Sequence, residues 1–167
     1  MRRIFLTGPI GCGKSTLIKN TLGENISVAS GFVTERVFET GELKGFDIVS
    51  LGVRKNLQEC SRMRFLTLCG NEIKKNDEAF SVFAARLLDE ASERPFVIID
   101  EIGGFELLIP EFMKAFEKFL ISKTPCIGVL KSLPSSEKLS KTAELSTEYL
   151  KAAKDLHLRL ASEPDTE

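Results

Sequence analysis

The chain has 167 residues, 43% of them hydrophobic and 28% charged, with a formal net charge of −1. That length suits one α/β domain over residues 1–167, large enough for a real core and too short for a second domain. Interspersed acids and bases give a nucleic-acid partner no support from charge, no apolar run is long enough to span a membrane, and Met1-Arg2-Arg3 precedes too short an apolar run for a secretory leader. The four cysteines, Cys12, Cys60, Cys69 and Cys126, show neither C-x-x-C spacing nor clustering with the sole histidine, His157. They read as free thiols in a cytoplasmic protein, and His157 reads as a surface residue. A monomer is expected.

In chain order, Ile4, Phe5 and Leu6 read as a short buried strand running into Gly8-Pro9-Ile10-Gly11-Cys12-Gly13-Lys14-Ser15-Thr16. This stretch fits G-x-x-x-x-G-K-[ST], and Leu17, Ile18, Thr21 and Leu22 recur behind it at helical spacing. Strand, loop and helix together predict a phosphate cradle. Its glycines let backbone N–H groups converge on phosphate oxygens at a helix N-terminus. Lys14 would reach the β- and γ-phosphates, and Ser15 would ligate Mg²⁺. A dinucleotide fingerprint fits poorly, because it needs glycine at Ser15 or Thr16. Cys12 occupies a variable loop position as a small filler, where a thiol lies near the bound phosphates.

Residues 30–49 alternate around the turn-like Thr40-Gly41-Glu42 and predict a hairpin with strands near 31–38 and 43–50. Gly31 and Gly45 read as permitting bends or close approach. Residues 51–70 resist assignment. Asn76 and Asp77 are capping candidates for a helix whose Phe80, Phe83, Ala84, Leu87, Leu88 and Ala91 form a core stripe. Residues 95–100, Pro-Phe-Val-Ile-Ile-Asp, read as a strand buried on both faces and ending in an acid. Pro110 opens a helix with an apolar stripe of Phe112, Phe116, Phe119 and Leu120. Residues 125–130 form a further buried strand, and Ser146 or Thr147 caps a last helix carrying Tyr149, Leu150, Ala153, Leu156, Leu158 and Leu160. The final residues, from Ser162, should fray. The fold class is therefore α/β: a mostly parallel sheet with helices on both faces, an inserted hairpin, and a ligand at the strands' C-terminal edge.

Asp100 ends its strand beside the cradle, positioned to hold Mg²⁺ directly or through water. Glu101 points the other way, toward the γ-phosphate and an attacking water, whose proton it could accept. Arg36, Arg54, Lys55, Arg62 and Arg64 are further basic candidates, one of which could serve as an arginine finger; the sequence does not select it.

The runs Thr7–Thr16, Ser30–Leu51 (with G-F-x-T-E and then G-F-D-I-V) and Val97–Leu107 (V-I-I-D-E-I-G-G-F-E-L), with the helix around Phe112–Leu120, carry a family likeness. The chain resembles, through about Leu130, the small P-loop nucleoside-triphosphatases that include the cancer-related nucleoside-triphosphatase and its archaeal and bacterial relatives. The resemblance implies a nucleotide-kinase-like fold and slow Mg²⁺-dependent hydrolysis of ATP, GTP and other nucleoside triphosphates to the diphosphate. It assigns phosphate and metal binding to Lys14 and Ser15, the metal to Asp100 and the water to Glu101. It also places base recognition around the loop after residue 130. Two basic positions of the family pattern are absent: Gly104 stands where a lysine is usual, and Leu145–Lys151 lacks an arginine. Lys131 could replace the first, although a solvated lysine is the simpler reading. Two other functions fit the same residues: a nucleoside or nucleotide kinase, and a nucleotide-responsive binding module with little turnover.

Overall fold

The computed structural model describes residues 3–52, 61–91, 94–122, 124–132 and 145–162, with 145–150 as main chain only. Arg54, Lys55, Cys60, the capping and apolar side chains expected at 146–150, and the tail after Ser162 lie outside the described residues.

The strands are β1 (Arg3–Leu6), β2 (Ser30–Glu39), β3 (Glu42–Ser50), β4 (Arg62–Cys69), β5 (Glu72–Lys75), β6 (Val97–Ile102) and β7 (Cys126–Leu130). Four longer helices accompany them: α1 (Lys14–Leu22), α2 (Ala85–Ala91, preceded by a π-helical turn over Ala79–Ala84), α3 (Pro110–Ile121) and α4 (Leu145–Ser162). The strands form one sheet in the order β1-β7-β6-β2-β3-β4-β5. β1, β7, β6 and β2 run parallel, and β2 to β5 form an antiparallel meander. The sheet is thus evenly mixed rather than mostly parallel, because residues 61–75 add a second hairpin beyond the expected one. The expected hairpin turns on Thr40 and Gly41, both at positive φ, as a two-residue primed turn requires.

Two cores flank the sheet. Alternation in β6 sends Val97 and Ile99 to one and Ile98 to the other, so this strand is buried on both faces as expected. The larger core contains Phe32, Ile48, Phe65 and the buried stripes of α2 and α3. Phe80 is its hub, meeting Phe65, Phe105 and Phe112 edge-on with ring centroids 5.3–5.4 Å apart. The smaller core joins Ile18 of α1 to Ala29, Val33, Ile98 and Val129.

One burial expectation is corrected, and two helices bury only part of their apolar spacing. β1 lies at an edge of the sheet and Ile4 is 49% exposed, so it is not a buried strand. In α1 only Ile18 is buried while Leu17 is 56% exposed, because the helix covers the small core near that edge. In α4, Ala153 and Leu156 are buried and Leu160 packs alongside, but Leu158 is 70% exposed.

Gly31 fixes how closely β2 approaches β6. Its φ is +90°, and a Cβ there would fall 2.2 Å from the Ile98 carbonyl oxygen. Only three residue pairs join the two strands, Ser30–Val97, Gly31–Ile98 and Phe32–Ile99. This junction carries the hairpin to the sheet's C-terminal edge, beside the loop after β1.

Candidate active site

The loop between β1 and α1 curls on three glycines at positive φ, Gly8, Gly11 and Gly13. The Gly13 carbonyl accepts the first helical hydrogen bond, from Leu17 N–H at 2.8 Å. The Lys14 ammonium donates to the carbonyls of Gly8 and Pro9, both at 2.9 Å, which holds its charge over the loop. A cleft of about 330 Å³ opens here, lined by Gly11, Gly13, Lys14, Ser15, Thr16, Thr34, Arg36, Phe46 and Glu101. The structure therefore places the second half of the expected cradle on the wall. Gly8, Pro9, Ile10 and Cys12 lie off it: Cys12 N–H closes a turn onto the Pro9 carbonyl, and Ile10 is 84% exposed on the outside.

Asp100 and Glu101 occupy an irregularity of β6, where the register with β7 shifts between Ile99 and Ile102. The strand does not end at Asp100, as the sequence suggests, but re-pairs at Ile102. Glu101 sits at φ +59°, a left-handed conformation that is costly for a residue with a Cβ. The distortion separates the two acids: Glu101 lines the cleft, while Asp100 is 2% exposed behind it. The Ser15 hydroxyl donates to Asp100 Oδ1 at 3.0 Å, and the Thr34 N–H and hydroxyl approach Oδ2 at 3.4 Å each. Burial pushes the Asp100 carboxyl above its ordinary range, and the neighbouring Glu101 adds to this, while the bonds from Ser15 and Thr34 oppose it. Across one intervening strand, β7, the phosphate loop and the acidic strand end thus meet through a serine–aspartate hydrogen bond.

Thr34, which the sequence marks only as part of the G-F-x-T-E pattern, lines the cleft and approaches Asp100. Glu35 is the paired residue instead: it meets Arg62 at 2.5 Å, and Arg62 and Arg64 both engage the buried Asp47. Glu106, also buried, accepts the N–H groups of Gly103 and Gly104 at 2.7 and 2.5 Å and fixes the turn that follows Ile102. Lys131 is half-buried rather than fully solvated: its ammonium would lie 2.9 Å from a Cβ on Gly104, and it does not line the cleft. His157 is likewise half-buried, with Nε2 3.1 Å from the Lys131 carbonyl oxygen, so it is not a simple surface residue. The loop expected to recognise the base falls within 133–144, outside the described residues.

A family model described as NTPase matches residues 3–154. The chain is 32% identical to the nucleoside-triphosphatase THEP1 of Thermotoga petrophila over 129 residues, 77% of this chain and 72% of that protein. It is 33% identical to the cancer-related nucleoside-triphosphatase homolog of Bos taurus over 162 residues, covering 87% and 83%. Its fold is similar to the solution structure of a human cancer-related nucleoside triphosphatase (TM-score 0.61, 24% identity, 98% and 100% of the chains covered). It is also similar to the crystal structure of THEP1 from Aquifex aeolicus (TM-score 0.61, 22% identity, 97% and 100% covered). With a phosphate loop, an acid pair at the facing strand end and a family match over most of its length, the chain belongs to the NTPase family of P-loop nucleoside-triphosphatases.

Proposed function

We propose that this chain hydrolyses nucleoside triphosphates to the diphosphate and phosphate in the cleft between the loop after β1 and the β2–β3 hairpin. The observation that carries this reading is the shared wall of that cleft: a carboxylate, Glu101, faces the same space as Lys14, Ser15 and the loop's N–H groups. Converging N–H groups and the Lys14 ammonium suit the β- and γ-phosphates. Glu101 orients a water on the γ-phosphorus and takes its proton as the new P–O bond forms. The bond from the γ-phosphorus to the β–γ bridging oxygen breaks, and the electron pair leaves with the diphosphate. Water is the acceptor, which separates this reading from a kinase.

The residues present fit Mg²⁺. A hydroxyl and a carboxylate in mutual contact, with no cluster of three or more His, Cys, Asp or Glu among the described residues, match an ion that takes one or two protein oxygens and fills its shell with phosphate and water. Ser15 would hold it, with Asp100 behind Ser15 as the orienting carboxylate. When bound, Mg²⁺ neutralises charge on the β- and γ-phosphate oxygens.

No helix among the described residues is long and apolar enough to cross a membrane. Cys12, Cys69 and Cys126 are free thiols, which supports a reducing, cytoplasmic setting. Burial pushes the Cys126 thiol up to about 12, so it is inert.

The test is product analysis with Mg²⁺-ATP and Mg²⁺-GTP, with and without added nucleosides and nucleoside monophosphates. Free phosphate at an unchanged rate is expected in every case. A phosphorylated acceptor would favour the kinase, and bound nucleotide without release would favour the binding module.

A further inference from the structure

The cleft carries a guanidinium that the reaction described above leaves unused. Arg36 lies on β2 two residues beyond Thr34, so alternation places it on the same sheet face as the threonine that approaches Asp100. Its cross-strand neighbour on β3 is Phe46, and both side chains line the cleft. The other described arginines of this meander, and Lys44 on β3, are already paired. Arg62 bonds Glu35 and Asp47, Arg64 bonds Asp47, and Lys44 bonds Glu42 at 2.6 Å. Arg36 is exposed, and among the described residues no carboxylate pairs with it. An unpaired guanidinium on the wall of a cleft whose opposite requirement is a polyphosphate is a donor fork aimed at an anion.

We propose that Arg36 is a catalytic residue that donates hydrogen bonds to the γ-phosphate oxygens as charge redistributes in the transition state. It is an arginine finger supplied within the chain by the hairpin. This rests on the hydrolase reading above. The loop's N–H groups and Lys14 already serve the phosphates in the ground state. Arg36 shares the hairpin side of the cleft with Thr34 and Phe46, so its contribution falls on the transferring group. The sequence offers five basic candidates without ranking them. Of the three that lie among the described residues, ion pairs across β2, β3 and β4 tie up Arg62 and Arg64 and leave Arg36 on the cleft.

The test compares wild type with Arg36→Ala under saturating Mg²⁺-ATP. A fall in kcat of about 10²- to 10³-fold is expected, with KM and diphosphate affinity changed by less than about threefold. Two further readouts separate this role from a structural one. The diphosphate–aluminium fluoride complex, which mimics the transferring group, should form on wild type and be lost in Arg36→Ala. Added guanidinium ion should restore part of the turnover. Because the side chain is exposed and unpaired, the melting temperature should not move. An Arg36→Ala kcat within threefold of wild type, or a loss confined to KM, would overturn the assignment while leaving the hydrolase intact. Absence of phosphate release by the wild type would overturn the hydrolase reading and this assignment together.

Discussion

Replacing Glu101 with glycine or with alanine separates the residue's conformation from its chemistry. At φ +59° the backbone is left-handed, where any Cβ costs about 1–2 kcal/mol. Glycine relieves that cost but carries an extra unfolded-state entropy of about 0.5–1 kcal/mol. The balance leaves Glu101→Gly more stable than Glu101→Ala by about 1 kcal/mol. For a chain of 167 residues the unfolding entropy is about 0.35 kcal/mol/K, so the difference is about 3 °C in Tm. Both variants lose turnover, since neither has a carboxylate. Calorimetric melting without nucleotide measures the first effect and phosphate release the second. Equal melting of the two variants, or a more stable alanine, would refute the claim that residue 101 is held in a strained conformation to aim its side chain.

Three other predictions concern the shell around the acid pair. Gly31→Ala should lower stability by about 3 kcal/mol in urea unfolding and reduce turnover as well, because a methyl 2.2 Å from the Ile98 carbonyl forces apart the short ladder that brings Thr34 to Asp100. Asp100 binds its proton more tightly in the folded state. The wild type should therefore lose stability relative to Asp100→Asn as pH rises from the ordinary carboxylate value through the raised folded one, and a flat difference across that window would contradict the buried, repelled carboxylate. Alkylation of Cys12 should weaken nucleotide affinity, as equilibrium titration would show, because the exposed thiol lies 3.7 Å from the Lys14 ammonium.

Much of the site was legible because it is written locally. Gly8, Gly13, Lys14 and Ser15 specify the loop through fixed spacing, and an apolar strand running into Asp100-Glu101 marks the opposing wall. The hairpin was legible from its alternation and from Thr40-Gly41. What the sequence concealed depends on distant partners. β4 and β5 went unassigned because an outer hairpin buries so little: among their residues only Phe65 is fully buried, and all of β5 is exposed. Three apolar residues in a row made β1 look central, yet its edge position is set by where β7 inserts. Thr34 contacts an acid 66 residues away, a pairing that no local pattern encodes. Glutamate is not a residue type that signals left-handed backbone, so the conformation of Glu101 follows only from the register shift in β6.

In the proposed reaction Glu101 activates water over a phosphate bound by the loop. Single-turnover phosphate release from Mg²⁺-ATP, measured in wild type and Glu101→Gln alongside nucleotide affinity, tests it most directly. Unchanged affinity and a rate lower by about 10²-fold or more in the variant are expected. Phosphate release by Glu101→Gln at the wild-type rate would contradict that role and place the group that orients the water elsewhere in the cleft.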